Sequence, residues 1–91
     1  MRFSEQHATE IATQFLLGEG RQFGNTIGAS YRSIEYQWQF AELAGISRHV
    51  LRDIWVISFE DPLFPEKAGQ IRRSVIVEVD DLSGKARFLF I

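Results

Sequence analysis

Residues 74–91 read SVIVEVDDLSGKARFLFI, and this stretch decides the fold because it predicts two strands joined by a turn. Valine alternates with other residues from Ser74 to Asp80, and a period of two is typical of a strand with one buried face. Gly84 closes the turn, where glycine supplies the positive φ that tight hairpins need. Residues 85–91 form the second strand. The predicted core face of this hairpin carries Val75, Val77, Val79, Ala86, Phe88 and Phe90.

Two segments upstream carry the same signal. Residues 34–40 alternate apolar and polar side chains, which predicts a strand. Its core face would carry Ile34, Tyr36, Trp38 and Phe40. Residues 54–59 are rich in β-branched and aromatic types and end shortly before a proline, which indicates another strand. For residues 42–52 the interpretation stays open: residues 42–44 either extend the preceding strand or start a turn at Gly45, and Ser47 is a candidate cap for one short helical turn through Leu51.

An amphipathic helix is predicted over residues 4–17. Ser4 is a favourable N-cap, and Glu5 adds negative charge to the first turn. Apolar side chains recur at spacings of three and four at Ala8, Ile11, Ala12, Phe15 and Leu16. The glycine-rich residues 18–30 predict a long connection after this helix. The four glycines here follow a helix and precede a strand, which is the wrong context for a phosphate-binding loop.

The predicted order, one helix followed by a run of strands, indicates the α+β class. We expect one domain over residues 1–91, with the N-terminal helix packed on one face of a four-stranded antiparallel sheet. The 91-residue chain is 45% hydrophobic and includes eight Phe and two Trp, so it can build a compact core.

Composition narrows the classes of partner. The net charge is −2, whereas a nucleic-acid-binding domain is expected to carry a basic excess. No apolar run approaches the roughly 18–20 residues that cross a bilayer, so we expect no membrane association. The chain has no cysteine and no N-terminal pattern typical of a signal peptide, which favours a cytoplasmic location.

The predicted sheet face opposite the helix carries more apolar side chains than a solvent-exposed face usually does, and this predicts an interface. The candidate interface residues are Ile54, Val56, Ile76, Arg87, Leu89 and Ile91. We expect self-association into a homodimer through this face or through the edge of the last strand. The alternative is that these are scattered exposed aliphatic side chains of the kind any protein carries.

A polar cluster at residues 47–53 is the candidate small-molecule site. Its residues, taken together with one tryptophan, are Trp38, Arg48, His49 and Arg52. A histidine beside arginine and aspartate has the composition of a general base with an anion-binding group. The alternative is a solvated turn with local ion pairs. The paired carboxylates at Asp80 and Asp81 are interpreted as turn residues, so we assign no catalytic, cofactor-binding or metal-binding residue and expect no cofactor.

The segments 55–59 and 75–85 resemble the end of PepSY-like and immunity-protein-35-like domains. In those families a strand that begins with tryptophan is followed by a hairpin of the form V-x-V-D-x-x-[ST]-G-K. The likeness covers residues 54–91, and the resemblance implies a cystatin-like arrangement of a helix on an antiparallel sheet. It also implies a small non-enzymatic protein that binds a protease, a toxin or another domain. The matching positions are scaffold, so no functional residue is transferred.

We therefore expect a non-enzymatic protein-interaction module that is immunity- or inhibitor-like, with a protein partner and no nucleic acid or membrane. The alternative is a small-molecule-binding domain or minor enzyme with a pocket between the helix and the sheet.

Overall fold

The computed structural model describes residues 2–63 and 74–89. Its elements are α1 (Glu5–Gly18), β1 (Thr26–Arg32), α2 (Ile34–Ala41), a 3₁₀ turn (Arg48–Val50), β2 (Ile54–Glu60), β3 (Ser74–Asp80) and β4 (Ala86–Phe88). The four strands form one antiparallel sheet in the order β1-β2-β3-β4. The α+β class and the four-stranded antiparallel sheet are therefore confirmed.

Helix α1 forms where the sequence predicts it. The Ser4 hydroxyl accepts the His7 N–H at 3.1 Å and so caps the first turn. Gly20 adopts a φ of 69° just after the helix, in the left-handed region where glycine carries no steric penalty. The apolar face of α1 buries Ala8, Ala12 and Leu16 against the sheet.

The core lies between α1 and one face of the sheet. The strand side chains buried there are Trp55, Ile57, Phe59, Val75, Val77 and Val79, with Ala86 and Phe88 packed at the margin. The predicted core face of the hairpin is confirmed for Val75, Val77, Val79, Ala86 and Phe88, and Phe90 lies outside the described residues. Burying one such side chain stabilises the fold by about 1.5–3 kcal/mol, so this layer holds α1 in place.

The predicted strand at 34–40 is wrong, because these residues form helix α2. The Ser33 hydroxyl accepts the Tyr36 N–H at 3.1 Å and caps the helix. The more buried side chains of α2 are Ile34, Gln37, Trp38 and Ala41, at helical rather than strand spacing. Tyr36 and Phe40, which were expected in the core, are 50% and 59% exposed. A short apolar segment fits either period, and here the cap favours the helix.

The first strand of the sheet, β1, begins inside the segment that was predicted as a long connection, residues 18–30, and ends beyond it at Arg32. Strand β1 pairs with β2 from Arg32, opposite Ile54, to Thr26, opposite Phe59. Its sequence contains glycine, alanine and serine, which have weak strand preference, so the prediction missed it. Pairing with the buried strand β2 supplies the stability that local preference lacks.

The turns that flank the sheet are only partly as expected. A 3₁₀ turn does follow Ser47, but the Ser47 side chain does not cap it. In the β3–β4 turn, Asp80 rather than Asp81 accepts the local bonds, from the Leu82 N–H at 2.8 Å and the Ser83 N–H at 3.1 Å. Gly84 has a φ of 76°, as the predicted hairpin turn requires. Strand β4 is shorter than the predicted strand 85–91, whose last two residues lie outside the described residues.

Candidate functional site

A cleft of about 650 Å³ lies on the sheet face opposite α1, and we call it the second-face cleft. Side chains from all four strands point to this face, while α2 and the segment after the 3₁₀ turn form one wall. The lining residues are Arg32, Gln37, Val50, Leu51, Arg52, Ile54, Glu78, Asp80, Ser83, Lys85, Arg87 and Leu89. Its volume lies within the range of about 300–1,000 Å³ that is typical of binding pockets.

Apolar side chains form the floor of the second-face cleft. Ile54 is only 8% exposed, and Leu51 and Leu89, which also line the cleft, are half-buried. The wall beside Leu51 is held by the Gln37 amide, which donates to the Arg32 carbonyl at 3.0 Å and to the Arg52 carbonyl. These bonds join α2, β1 and the segment before β2, so the cleft has a fixed wall.

Two ion pairs lie on the rim. Arg87 and Glu78 are direct cross-strand partners, and the Arg87 guanidinium donates to both carboxylate oxygens of Glu78, at 3.1 and 3.2 Å. A two-bond arginine–carboxylate pair fixes both side chains more firmly than a single contact. Arg52 lies 3.9 Å from the Asp80 carboxylate, a longer and weaker contact.

The rim carries a cationic excess. Arg32, Arg52, Lys85 and Arg87 surround the cleft, against the carboxylates of Glu78 and Asp80. Within residues 2–63 and 74–89, neither Arg32 nor Lys85 has a carboxylate partner. The cleft is therefore locally positive on a chain whose net charge is −2.

Asp80 is ionised throughout the neutral range. Its burial acts to raise the pKa, but the backbone N–H groups of Ser83 and Leu82 and the nearby Arg52 cation outweigh that effect, so the pKa of Asp80 lies below its ordinary value. Asp80 therefore holds the turn and Arg52 as a fixed anion. It is not a candidate proton donor at neutral pH.

The six predicted interface residues fall into different environments. Arg87, Leu89 and Ile54 line the second-face cleft. Val56 is only 6% exposed, and Ile76 is half-buried. Ile91 lies outside the described residues. Ile54 and Val56 are therefore already shielded within the chain, and the accessible part of this face is the charged rim around Leu89. The interface itself stays a prediction.

The predicted ligand cluster is not brought together by its contacts. Arg48 pairs with Glu35 of α2, the His49 ring contacts Ser47, and Arg52 faces Asp80. Trp38, which was expected in the core between helix and sheet, is half-buried on α2. The Ser47 hydroxyl lies 3.1 Å from both ring nitrogens of His49, so neither nitrogen is singled out as a base for it. Arg52 is the member of this set that lines the cleft.

Sequence reasoning missed Arg32, Lys85 and Gln37 as cleft residues. Arg32 and Gln37 were missed because β1 and α2 were not recognised, and their directions follow from those elements. Lys85 could have been found, since it shares the β4 hairpin with Arg87 at alternate positions.

No helix in the described part of the chain is long and apolar enough to cross a bilayer. Over the same residues, no group of three or more His, Asp or Glu side chains is placed to hold a metal ion. No known protein family, curated protein or solved structure matches the chain.

Proposed function

We propose that this chain is a non-enzymatic protein-interaction domain whose second-face cleft receives an acidic segment of a partner protein. The observation that carries the proposal is the cationic rim around an apolar floor. A bound acidic segment would give Arg32 and Lys85 the carboxylate partners that they lack among the described residues. An apolar side chain of the same segment would cover Leu51 and Leu89, which are half-buried in the cleft.

The spread of the cations favours a protein segment over a small molecule. Arg32 lies on β1 and Arg87 on β4, at opposite edges of the sheet. With strands about 4.8 Å apart, these two edges are about 14 Å from each other. An extended peptide covers that distance and meets both cations, as acidic partners do at complementary interfaces.

The packed interior also supports an interaction surface. The alternative function requires a pocket between α1 and the sheet. Leu16 of α1 and Ile57 and Val77 of the sheet are fully buried and belong to one contact cluster, which leaves that layer filled. The immunity- or inhibitor-like role stays a prediction, and it is compatible with a partner that presents acidic residues.

Site-specific photo-crosslinking in the native cell tests the proposal. A benzophenone amino acid is placed at Ser83, on the rim of the cleft, and as a matched control at Gln14, exposed on α1. We expect a discrete protein adduct from position 83 and none from position 14. The adduct should be lost when Arg32 and Lys85 are both changed to glutamate, because the cleft then repels acidic segments.

The double charge reversal needs its own control. Arg48→Glu makes the same type of charge change outside the cleft and should leave the adduct at position 83 intact. Absence of an adduct at position 83, or an adduct that survives the double reversal, would contradict the proposal.

A second candidate function rests on a groove beside α2 that adjoins the second-face cleft. Tyr36 and Phe40 stack edge to face with ring centroids 5.5 Å apart, and they line an apolar groove of about 440 Å³ with Ala44 and Ile46. Such a groove suits a small apolar molecule. Nile red is a direct probe: its fluorescence should rise with the wild-type chain and with Leu82→Ser, and fall with Phe40→Ser. Equal fluorescence from all three chains would exclude this function.

A further inference from the structure

Strand β1 presents an open backbone edge. At the end of β2, the Glu60 N–H donates to the Asn25 carbonyl at 2.9 Å, and the Glu60 carbonyl accepts the Gly24 N–H at 2.8 Å. Even-numbered residues of β2 therefore direct their backbone groups to β1, where they meet Gly28, Ser30 and Arg32. Because these directions alternate along a strand, the N–H and C=O groups of Ala29 and Tyr31 point away from the sheet.

This edge is accessible in the described structure. Thr26, Ile27, Gly28 and Ser30 are all exposed, although they lie in a strand. Among residues 2–63 and 74–89, no backbone group outside the sheet bonds to Ala29 or Tyr31. An open edge of this kind is a template for another strand.

The two edges of the sheet differ in how they are protected. Strand β4 has only three residues, follows Lys85 and contains Arg87. Short length and basic side chains are common ways to prevent a strand from pairing with another chain. Strand β1 has seven residues, no proline and no charged side chain before Arg32. Strand β1 has a bulge between Thr26 and Gly28 but pairs regularly with β2 from Gly28 to Arg32, so the open part of this edge is residues 28–32.

We infer that β1 pairs antiparallel with β1 of a second copy of this chain, so that the two sheets become one. A two-fold axis at Ser30 keeps the pairing within the regular residues 28–32 and places the outward N–H and C=O of Ala29 opposite those of Tyr31 in the second copy. In this register each Arg32 lies opposite a Gly28, and the two Arg32 residues are about 14 Å apart along the ladder. The charged residue of β1 therefore meets no like charge.

A second copy is the occupant that the strand itself specifies. Residues 26–31 carry no charge with which to select a partner of opposite charge. They include threonine, isoleucine and tyrosine, which favour strand pairing. The antiparallel arrangement is self-complementary and satisfies the same backbone groups in both chains. The inference does not rest on the second-face cleft, which lies on a face of the sheet and stays open when the edges join.

Analytical ultracentrifugation over a concentration series tests the inference. A single shared ladder buries less area than a standard interface of about 1,600 Å², so we expect a concentration-dependent equilibrium that moves toward twice the mass of the chain. Ile27→Lys should shift the equilibrium to the monomer by at least tenfold, because a lysine on the edge blocks strand pairing. Ile27 is 44% exposed, so the variant should fold.

Leu82→Lys is the matched control, since it adds the same charge at a side chain that is 65% exposed in the β3–β4 turn. It should dimerise like the wild type. Hydrogen exchange adds an independent reading: the amides of Ala29 and Tyr31 should be protected at high protein concentration and lose that protection in Ile27→Lys. A monomer even at about 1 mM, or a dimer unaffected by Ile27→Lys, would overturn the inference.

Discussion

The indole N–H of Trp55 donates to the Asp81 carboxylate at 3.1 Å, and this bond is buried on the face of the sheet that packs against α1. The same carboxylate accepts the backbone N–H groups of Arg2 at 2.6 Å and Phe3 at 3.0 Å. Asp81 thereby joins the start of the chain, strand β2 and the β3–β4 turn. Burial acts to raise the pKa of Asp81, but the bonds from Phe3, Arg2 and Trp55 outweigh it, so the pKa lies below its ordinary value.

Asp81→Asn should destabilise the fold by about 2 kcal/mol. The amide lacks the charge that strengthens these hydrogen bonds, and its N–H group faces donors instead of acceptors. Urea unfolding followed by tryptophan fluorescence measures the loss. Glu10→Gln makes the same chemical change on an exposed helix position and should leave the unfolding midpoint within error. An unchanged midpoint for Asp81→Asn would mean that this buried carboxylate does not hold the N-terminus.

Acid should destabilise the protein below about pH 4. The pKa values of Asp80 and Asp81 are lower in the folded chain than their ordinary value, so the unfolded chain binds protons more readily. Their contribution is complete above the unfolded value of about 3.9 and is lost as the pH falls through the lower folded values. As the pH is lowered from about 6 to about 2, the urea midpoint should fall less steeply for Asp81→Asn than for the wild type. Parallel curves would refute the linkage.

Phe40 and Phe59 were both predicted to lie in strands, but residues 34–41 form a helix, and the two phenylalanines differ in burial. Phe59 is 1% exposed in the core, and Phe40 is 59% exposed on α2. Phe59→Ala should cost about 3–5 kcal/mol of unfolding free energy. Phe40→Ala should cost less than about 1 kcal/mol of unfolding free energy, because little of the Phe40 side chain is buried in the folded chain. If the segment were a strand with Phe40 in the core, the two losses would be similar in denaturant unfolding.

The sequence was sufficient for α1, β3 and the hairpin because each has a period that fits one element only, and for β2 because its β-branched and aromatic residues indicate a strand. It failed at α2, where eight residues satisfy two periods, and the deciding signal was the local cap at Ser33. It failed at β1 for the opposite reason. The strand is weak by local preference and is formed by its partner β2, which no local pattern reveals.

Glycines 24 and 28 give a second stability test, at the margin of the missed strand. A Cβ at position 24 would lie 2.9 Å from the Cβ of Glu60, while position 28 has open space. Neither glycine has a positive φ, so alanine is acceptable to the backbone at both. Gly24→Ala should lower the unfolding free energy by about 1–3 kcal/mol through overpacking. Gly28→Ala should be neutral or stabilise by up to about 1 kcal/mol. Thermal unfolding of the two variants separates these effects, and equal midpoints would contradict the close approach of residues 24 and 60.

The residues of the candidate site could be predicted only where their strand was recognised in the sequence. Arg87 and Leu89 were identified as second-face residues because β4 was recognised, and the cleft includes both. Val56 was identified by the same alternation, yet it is buried, because alternation assigns a face and not an exposure. Arg32 increases the cationic excess of the rim, and its place there depends on a strand absent from the sequence pattern. Charge at a site is thus harder to predict than the apolar floor beneath it.

The charge of the second-face cleft can be raised without altering its floor, by Glu78→Gln. The change removes the carboxylate that pairs with Arg87 and frees the guanidinium for a bound anion. Because Arg87 is exposed, the ion pair contributes at most about 1 kcal/mol, and the fold should persist. We expect the variant to bind a fluorescein-labelled peptide of alternating aspartate and leucine about threefold more tightly, equivalent to about 0.6 kcal/mol. Fluorescence anisotropy measures this affinity, which should weaken as salt is added.

Glu10→Gln raises the net charge equally but away from the cleft and should bind like the wild type. Lys85→Glu should bind more weakly, since it removes a cation that has no carboxylate partner in the described chain. Equal affinity across these chains would show that the peptide does not occupy the cleft.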